Sequence, residues 1–255
     1  MTNNLMNLII GKHTVAENLE RAVASGRLIR HESGLFELPV AQPAGPDPWL
    51  RRGCAPKHLV CVFLNKFLFE CAYARSAAPY GCRDCYKVKV IPRTLRELNA
   101  LWQISKRIDC RAKCGVAVDE YYSQDLYAGF FYTLGLTQAR EIYHIVRREV
   151  DEDPKLGPGV SMLIKRGCTR IEVFCGPSDK YQYKPELPAL EDLLKSRFIG
   201  AGLPESNQAS ARQATLLGWI ASAFRIGDET YLDFTGGRPL YPRTVTYAVS
   251  SRPEE

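Results

Sequence analysis

Apolar positions recur at helical spacing from Thr14 to Ala24, where Val15, Leu19, Ala22 and Val23 share one side of a wheel. Thr14 and Glu17 have the spacing of a capping box at its head, and Gly26 follows as a stop. RLIR and LFELPV then flank HESG and predict a hairpin; helix plus hairpin also suits a wing-like nucleic-acid element, although packing is the commoner use. The proline-rich residues 41–49 predict a loop or linker. LVCVFL and FLFECAYA are apolar on both sides and predict buried strands, with Cys54, Cys61 and Cys71 as small core hydrophobes near them. YKVKVIP alternates, as a half-exposed strand does.

Arg93 to Asp109 predicts a helix with Leu95, Leu98, Leu101, Trp102, Ile104 and Ile108 on one half and Arg93, Arg96, Lys106 and Arg107 on the other. After the aromatic-rich residues 118–136, Thr137 to Val150 predicts a helix with Ile142, Tyr143, Val146 and Val150 facing inward, and DEDPKLGPG ends it. VSMLIKRG and TRIEVFCG predict a strand pair. Pro188 to Phe198 and Ser206 to Phe224 predict helices, and TYLDF and RTVTYAV predict closing strands. The fold class expected is mixed α/β (α+β). Residues 1–50 would form a helix–hairpin region with its linker, 51–200 the main body, and 201–255 a C-terminal helix with the closing strands.

Composition adds bounds. The 255 residues are 45% hydrophobic and 24% charged, ordinary for a soluble globular chain. No apolar run approaches the roughly 20 residues that cross a bilayer, and the N-terminus lacks the marks of a signal peptide. A cytoplasmic protein with no membrane partner is the expectation. Disulfides are rare in that setting, so close cysteine pairs point to metal or redox chemistry. Charge is concentrated: residues 82–114 carry nine basic side chains against three acidic ones, which accounts for the whole excess of +6. The nine are Arg83, Lys87, Lys89, Arg93, Arg96, Lys106, Arg107, Arg111 and Lys113. Such a local field predicts a polyanionic partner more strongly than an average does.

The same stretch holds Cys82, Cys85, Cys110 and Cys114 in a C-x2-C-x24-C-x3-C pattern. Two close thiolate pairs are what a tetrahedral zinc ion needs, and four thiolates close its shell, which makes such a zinc structural. Neighbouring cations favour the thiolate, and Gly115 would let the backbone curl round the ion. An iron–sulfur cluster, thiol–disulfide exchange and plain core cysteines remain alternatives. The zinc reading predicts an embedded finger over about residues 80–115, clipped at both ends of the basic helix. The nine cations would then meet phosphates, extended by Lys165, Arg166 and Arg170; a solvated charged face is the alternative.

Enzyme signatures are thin. His13, His31, His58 and His144 sit in no metal or nucleophile motif, and no phosphate-cradling loop is present. Ser178, Asp179 and Lys180 read as a turn, and Asp119, Glu120 and Asp125 as exposed acids. A non-enzymatic protein is expected.

The cysteine pattern and the later segment KRGCTRIEVFCGPSDKY resemble the small large-subunit protein of type IV CRISPR effector complexes. The resemblance implies a subunit at the foot of a crRNA-guided complex, beside the repeated backbone subunits and the crRNA 5′ handle. It implies help in recognising the short motif flanking the DNA target and in opening the duplex, with a separate helicase as a partner in type IV-A systems. It implies zinc on Cys82, Cys85, Cys110 and Cys114. Two rivals stand beside it: an RNA-modifying or iron–sulfur-dependent enzyme, and a zinc-stabilised scaffold for an acidic protein.

Overall fold

Chain order is α1 (Thr2–Met6), β1 (Ile9–Ile10), β2 (His13–Thr14), α2 (Val15–Ala24), β3 (Ile29–Arg30), β4 (Phe36–Leu38), β5 (Trp49–Arg52), α3 (Val62–Ala72), β6 (Cys85–Ile91), α4 (Leu95–Arg107), β7 (Arg111–Val116), β8 (Tyr127–Leu134), α5 (Leu136–Glu152), β9 (Ser161–Arg166), α6 (Thr169–Cys175), α7 (Leu187–Ser196), β10 (Phe198–Ala201) and α8 (Gln208–Ile226). These elements come from a computed structural model, which describes residues 2–39, 47–53, 61–118, 122–201 and 208–241. The class is mixed α/β.

The alternation in YKVKVIP becomes β6, an inner strand of a five-stranded antiparallel sheet ordered β5-β7-β8-β6-β9. From β6 to β9 the chain runs β-α-β-β-α-β, the split arrangement in which both helices return over the sheet, and β5 extends the β7 edge. Strand periodicity decides what each face carries. Val88, Val90, Ala112, Cys114, Val116, Tyr127 and Phe131 point to one face and share a core with Leu98, Leu101 and Ile104 of α4, Val146 and Val150 of α5, and Trp219 and Ala223 of α8. The alternate residues of the same strands therefore face the other way, where among the described residues no helix covers the sheet centre.

Asp228 ties three parts of this layer together. Its carboxylate accepts from the backbone N–H of Leu95 at 2.6 Å, the Tyr127 hydroxyl at 2.6 Å and the Thr230 N–H at 3.0 Å. Burial alone would raise its pKa; these donors outweigh it and hold the carboxyl below its usual range. Thr94 caps α4 by accepting from the Glu97 N–H at 3.2 Å.

A second core joins α2, β4, α3 and α7. Val15, Leu19, Leu28, Phe36, Phe67, Leu190 and Leu194 all lie in it, so the N-terminal helix and hairpin pack with residues far along the chain. The capping box on α2 forms: Thr14 accepts from the Glu17 N–H at 3.2 Å, and Glu17 accepts from the Thr14 N–H at 2.8 Å. β3 and β4 make the antiparallel hairpin, and β10 adds to β4 in parallel.

Four predicted strands are not strands. The described part of LVCVFL and FLFECAYA is the single helix α3, wound wide, and its end closes through the Tyr73 N–H to the Leu68 carbonyl at 2.7 Å. Phe63, Leu64, Phe67, Leu68, Phe69, Cys71 and Ala72 are buried on several sides of it. A mostly apolar run suits a buried helix as well as a buried strand, and here Lys66 and Glu70, four apart, pair on the outer side of the helix at 3.1 Å. TRIEVFC forms α6, between Gly167 and Gly176, and turns Ile171 into the second core instead of extending β9. TYLDF lies in a 3-10 turn, Glu229–Phe234, fixed by Asp228. RTVTYAV, the SSRPEE tail, Cys54, His58, Asp119 and Glu120 lie outside the described residues. Among the described residues no helix is long and apolar enough to cross a membrane.

Candidate nucleic-acid interface on the open sheet face

The open face takes one side chain in two from each strand. β6 contributes Lys87 and Lys89, β7 Arg111 and Lys113, β8 Phe130 and Tyr132, β9 Leu163 and Lys165, and β5 Trp49 and Arg51. Cations and rings interleave. The Lys113 ammonium sits 3.8 Å from the Trp49 ring centre and 5.1 Å from that of Phe130; the Arg111 guanidinium is 4.6 Å from Tyr132; Lys87 is 5.4 Å from Phe130 and 5.5 Å from Tyr132.

This face floors a cleft of about 630 Å³, walled by the start of α3 (Cys61, Val62, Asn65, Lys66) and the start of α6 (Cys168, Thr169, Arg170). Eight lining residues are cationic (Arg51, Lys66, Lys87, Lys89, Arg111, Lys113, Lys165, Arg170), and one, Asp125, is acidic. Carboxylates temper part of this charge from the rim: Asp125 pairs with Lys89, Glu172 with Lys165 and Asp47 with Arg51, while Glu70 meets Lys66 at 3.1 Å and Arg170 at 2.7 Å. Lys87 is buried and donates to the Cys168 thiol at 3.4 Å. Burial opposes its charge, but Cys168, Tyr132 and Cys85 around it outweigh that and hold its pKa above the ordinary lysine range. A walled basin whose lining cations outnumber its acids attracts phosphate.

The nine expected cations divide. Lys87, Lys89, Arg111 and Lys113 lie on the open face. Arg96, Lys106 and Arg107 lie on α4 and Arg93 just before it, across the sheet, and the three arginines are paired: Arg93 with Glu97 at 2.6 Å, Arg96 with Asp233 at 2.9 Å and Arg107 with Glu149 at 2.9 Å. Lys106 donates to Gln103 at 2.8 Å and covers Trp102. Arg83 pairs with Asp84 at 2.9 Å beside the Tyr80 ring. The basic helix surface expected from the wheel is therefore a row of local ion pairs. Lys165 and Arg170 do join the cleft; Arg166 instead donates to the carbonyls of Arg83 at 2.8 Å and Ser178 at 3.0 Å. The sequence analysis names no aromatic residue for the site; K-x-K, R-x-K and F-x-Y on β6, β7 and β8 carry the period-2 signal that places cations and rings on one face.

The predicted four-cysteine set does not converge. Cys82 ends the 3-10 turn Tyr80–Cys82 and lies in the second core. Cys85 opens β6 on the open-face side. Cys114 is fully buried among the helix-side residues, and Cys110 packs against them, its thiol donating to the carbonyls of Tyr132 at 3.2 Å and Arg111 at 3.4 Å. The sheet stands between the two pairs, because residues 86–109 are not a finger loop but a strand and a helix of the main layer. Burial raises all four thiols, that of Cys110 to about 11 and that of Cys114 to about 12. Among the described residues no three His, Cys, Asp or Glu side chains stand ready to hold a metal ion. A zinc ion shared by Cys82, Cys85, Cys110 and Cys114 does not fit this fold, and Gly115 serves another purpose: it sits opposite Trp49 in the β5–β7 pairing.

The described histidines form no cluster. His31 bonds Glu37 at 3.0 Å, His13 lies 3.9 Å from Glu17, and His144 meets Tyr143 edge-on. Ser178–Lys180 is a 3-10 turn. No known family, curated protein or solved structure matches the chain.

Proposed function

We propose that this chain is a non-enzymatic nucleic-acid-binding subunit that takes RNA or DNA across the open sheet face. The observation that carries the reading is the alternation of Lys87, Lys89, Arg111 and Lys113 with Trp49, Phe130 and Tyr132 in one walled basic cleft. Cations supply salt-dependent attraction to phosphates, and ring faces supply stacking for bases; single-stranded nucleic acid meets both needs. A four-stranded sheet with aromatic residues on inner strands is one of the recurring platforms for such strands.

The resemblance noted in the sequence gives this reading its setting: a cytoplasmic type IV CRISPR complex in which base pairing with crRNA reads the target, while a protein holds backbone and a short flanking motif. Backbone subunits, target DNA and a helicase would then be its partners.

Gentle purification of the full chain from its native host tests the proposal. The expected result is co-purification with one defined small RNA, released by nuclease. A nucleic-acid-free protein, or a complex with an acidic protein that survives nuclease, overturns it.

A further inference from the structure

Strand register sets the cations and rings of the open face in two rows. Lys87, Tyr132 and Arg111 stand opposite one another on β6, β8 and β7, with Lys165 of β9 beside Lys87. Two residues along each strand, Lys89, Phe130 and Lys113 form the second row, flanked by Leu163 of β9 and Arg51 of β5. The walls from α3 and α6 meet over the first row. Arg111 donates to the thiol of Cys61, just before α3, at 3.1 Å. Lys87 donates to the thiol of Cys168, just before α6, at 3.4 Å, and Asn65, one turn into α3, lies 3.9 Å from that same thiol. Among the described residues the cleft is therefore roofed over Lys87 and open toward Lys89 and Lys113. Exposure agrees: Lys87 is 5% exposed, whereas Lys89, Phe130 and Lys113 are half-buried.

A strand laid along the second row cannot continue across the first while α3 covers it. The cleft volume of about 630 Å³ also lies in the range of pockets that enclose a small ligand, roughly 300–1,000 Å³. Lys87, at the roofed end, lacks an acidic partner. Its neighbours Lys89 and Lys165 pair with Asp125 and Glu172, but among the described residues no carboxylate pairs with Lys87. An ammonium has three N–H donors; one meets the Cys168 thiol, a weak acceptor, and the Phe130 and Tyr132 rings flank the charge at 5.4 and 5.5 Å. A buried cation without a counter-anion is costly, and an arriving anion removes that cost. We propose that the roofed end of the cleft binds the terminal phosphate of a single strand. Lys87 holds the phosphate, with Arg111 across Tyr132 from it, and the last bases lie against Phe130 and Trp49 in the open part. A phosphate monoester at a strand end carries close to two negative charges at neutral pH and three free oxygens. An internal diester carries one charge and needs the chain to leave on both sides. The inference rests on the nucleic-acid reading of this cleft and adds which part of the strand the cleft takes.

The test is fluorescence anisotropy of the full chain with one short, internally labelled single strand in four forms: hydroxyl at both ends, 5′-phosphate, 3′-phosphate, and closed into a circle. One phosphate-ended form is expected to bind about five- to tenfold tighter than the hydroxyl-ended form, the scale of one charge-assisted hydrogen bond, and which end it is gives the direction of the strand in the cleft. The circle, which has no end to insert, is expected to bind more weakly than that form by at least as much. Lys87→Gln is expected to erase the difference between phosphate and hydroxyl ends. Should that variant fail to fold, the four strands on the unaltered protein still decide. Equal affinity for all four forms, or a phosphate preference that survives Lys87→Gln, overturns this inference and leaves the nucleic-acid reading standing. No binding of any form overturns both.

Discussion

Replacing Lys89 and Lys113 together by glutamate is expected to weaken binding of a labelled single-stranded oligonucleotide about tenfold or more at roughly 0.1 M salt. The two ammonium groups stand on adjoining parts of the open face, Lys89 on β6 and Lys113 on β7, with Phe130 of β8 between their strands. Each lost phosphate contact removes about 0.7 from the slope of log affinity against log salt for a single strand, so the slope should flatten by about 1.4. Fluorescence anisotropy over a salt series reads both quantities. Lys89→Gln with Lys113→Gln removes charge without facing a new acid toward Asp125, and should give the same flattening with a smaller loss of affinity. Arg96→Glu with Arg107→Glu is the counterpart on α4. It breaks exposed pairs with Asp233 and Glu149, each worth about 0–1 kcal/mol of stability, and should leave the salt slope unchanged. Equal effects from the sheet pair and the helix pair would mean that the open face has no special role.

Gly115→Ala is expected to cost about 2–3 kcal/mol of stability, the scale of overpacking in a well-filled region. Gly115 faces Trp49 across the β5–β7 ladder. A Cβ there would come within 2.6 Å of the Trp49 ring and closer still to the Pro48 carbonyl oxygen. That carbonyl cannot retreat freely, because it accepts from the Trp219 indole at 2.8 Å and from the Val116 N–H at 3.3 Å. β5 must move, and the Trp49 ring under Lys113 moves with it. For a chain of this size the loss corresponds to a fall in Tm of about 5–10 °C, read by circular dichroism, and nucleic-acid affinity should fall with it. An unchanged Tm would show that β5 gives way without cost.

Local signals carried much of the fold. The capping box of α2, the hairpin of β3 and β4, the alternation of β6 and the amphipathic stripe of α4 all depend on neighbours in sequence, and each forms as its pattern predicts. The misread segments are those whose outcome depends on distant partners. α3 is apolar at most positions, with only Asn65, Lys66 and Glu70 polar, so its period is hard to read until Phe36, Leu194 and Phe198 pack with it. The polar face of α4 reads as a cationic rod until Asp233 and Glu149 arrive from elsewhere in the chain to pair with it. The C-x2-C and C-x3-C spacings suggested a common ion because spacing says nothing about which face of a sheet a residue occupies. Strand parity does say it: Lys87 and Lys89 alternate with Val88 and Val90, and Phe130 and Tyr132 with Phe131, so half of the site was legible in principle. The walls contributed by α3 and α6 were not, since both segments read as strands.

Photo-crosslinking of the full chain to a bound single strand, with the adducts located by mass spectrometry, tests the role of the open face most directly. The account predicts adducts on Trp49, Phe130 and Tyr132 or on residues beside them in β5 and β8. Adducts confined to α4 and the Glu229–Phe234 turn would contradict it.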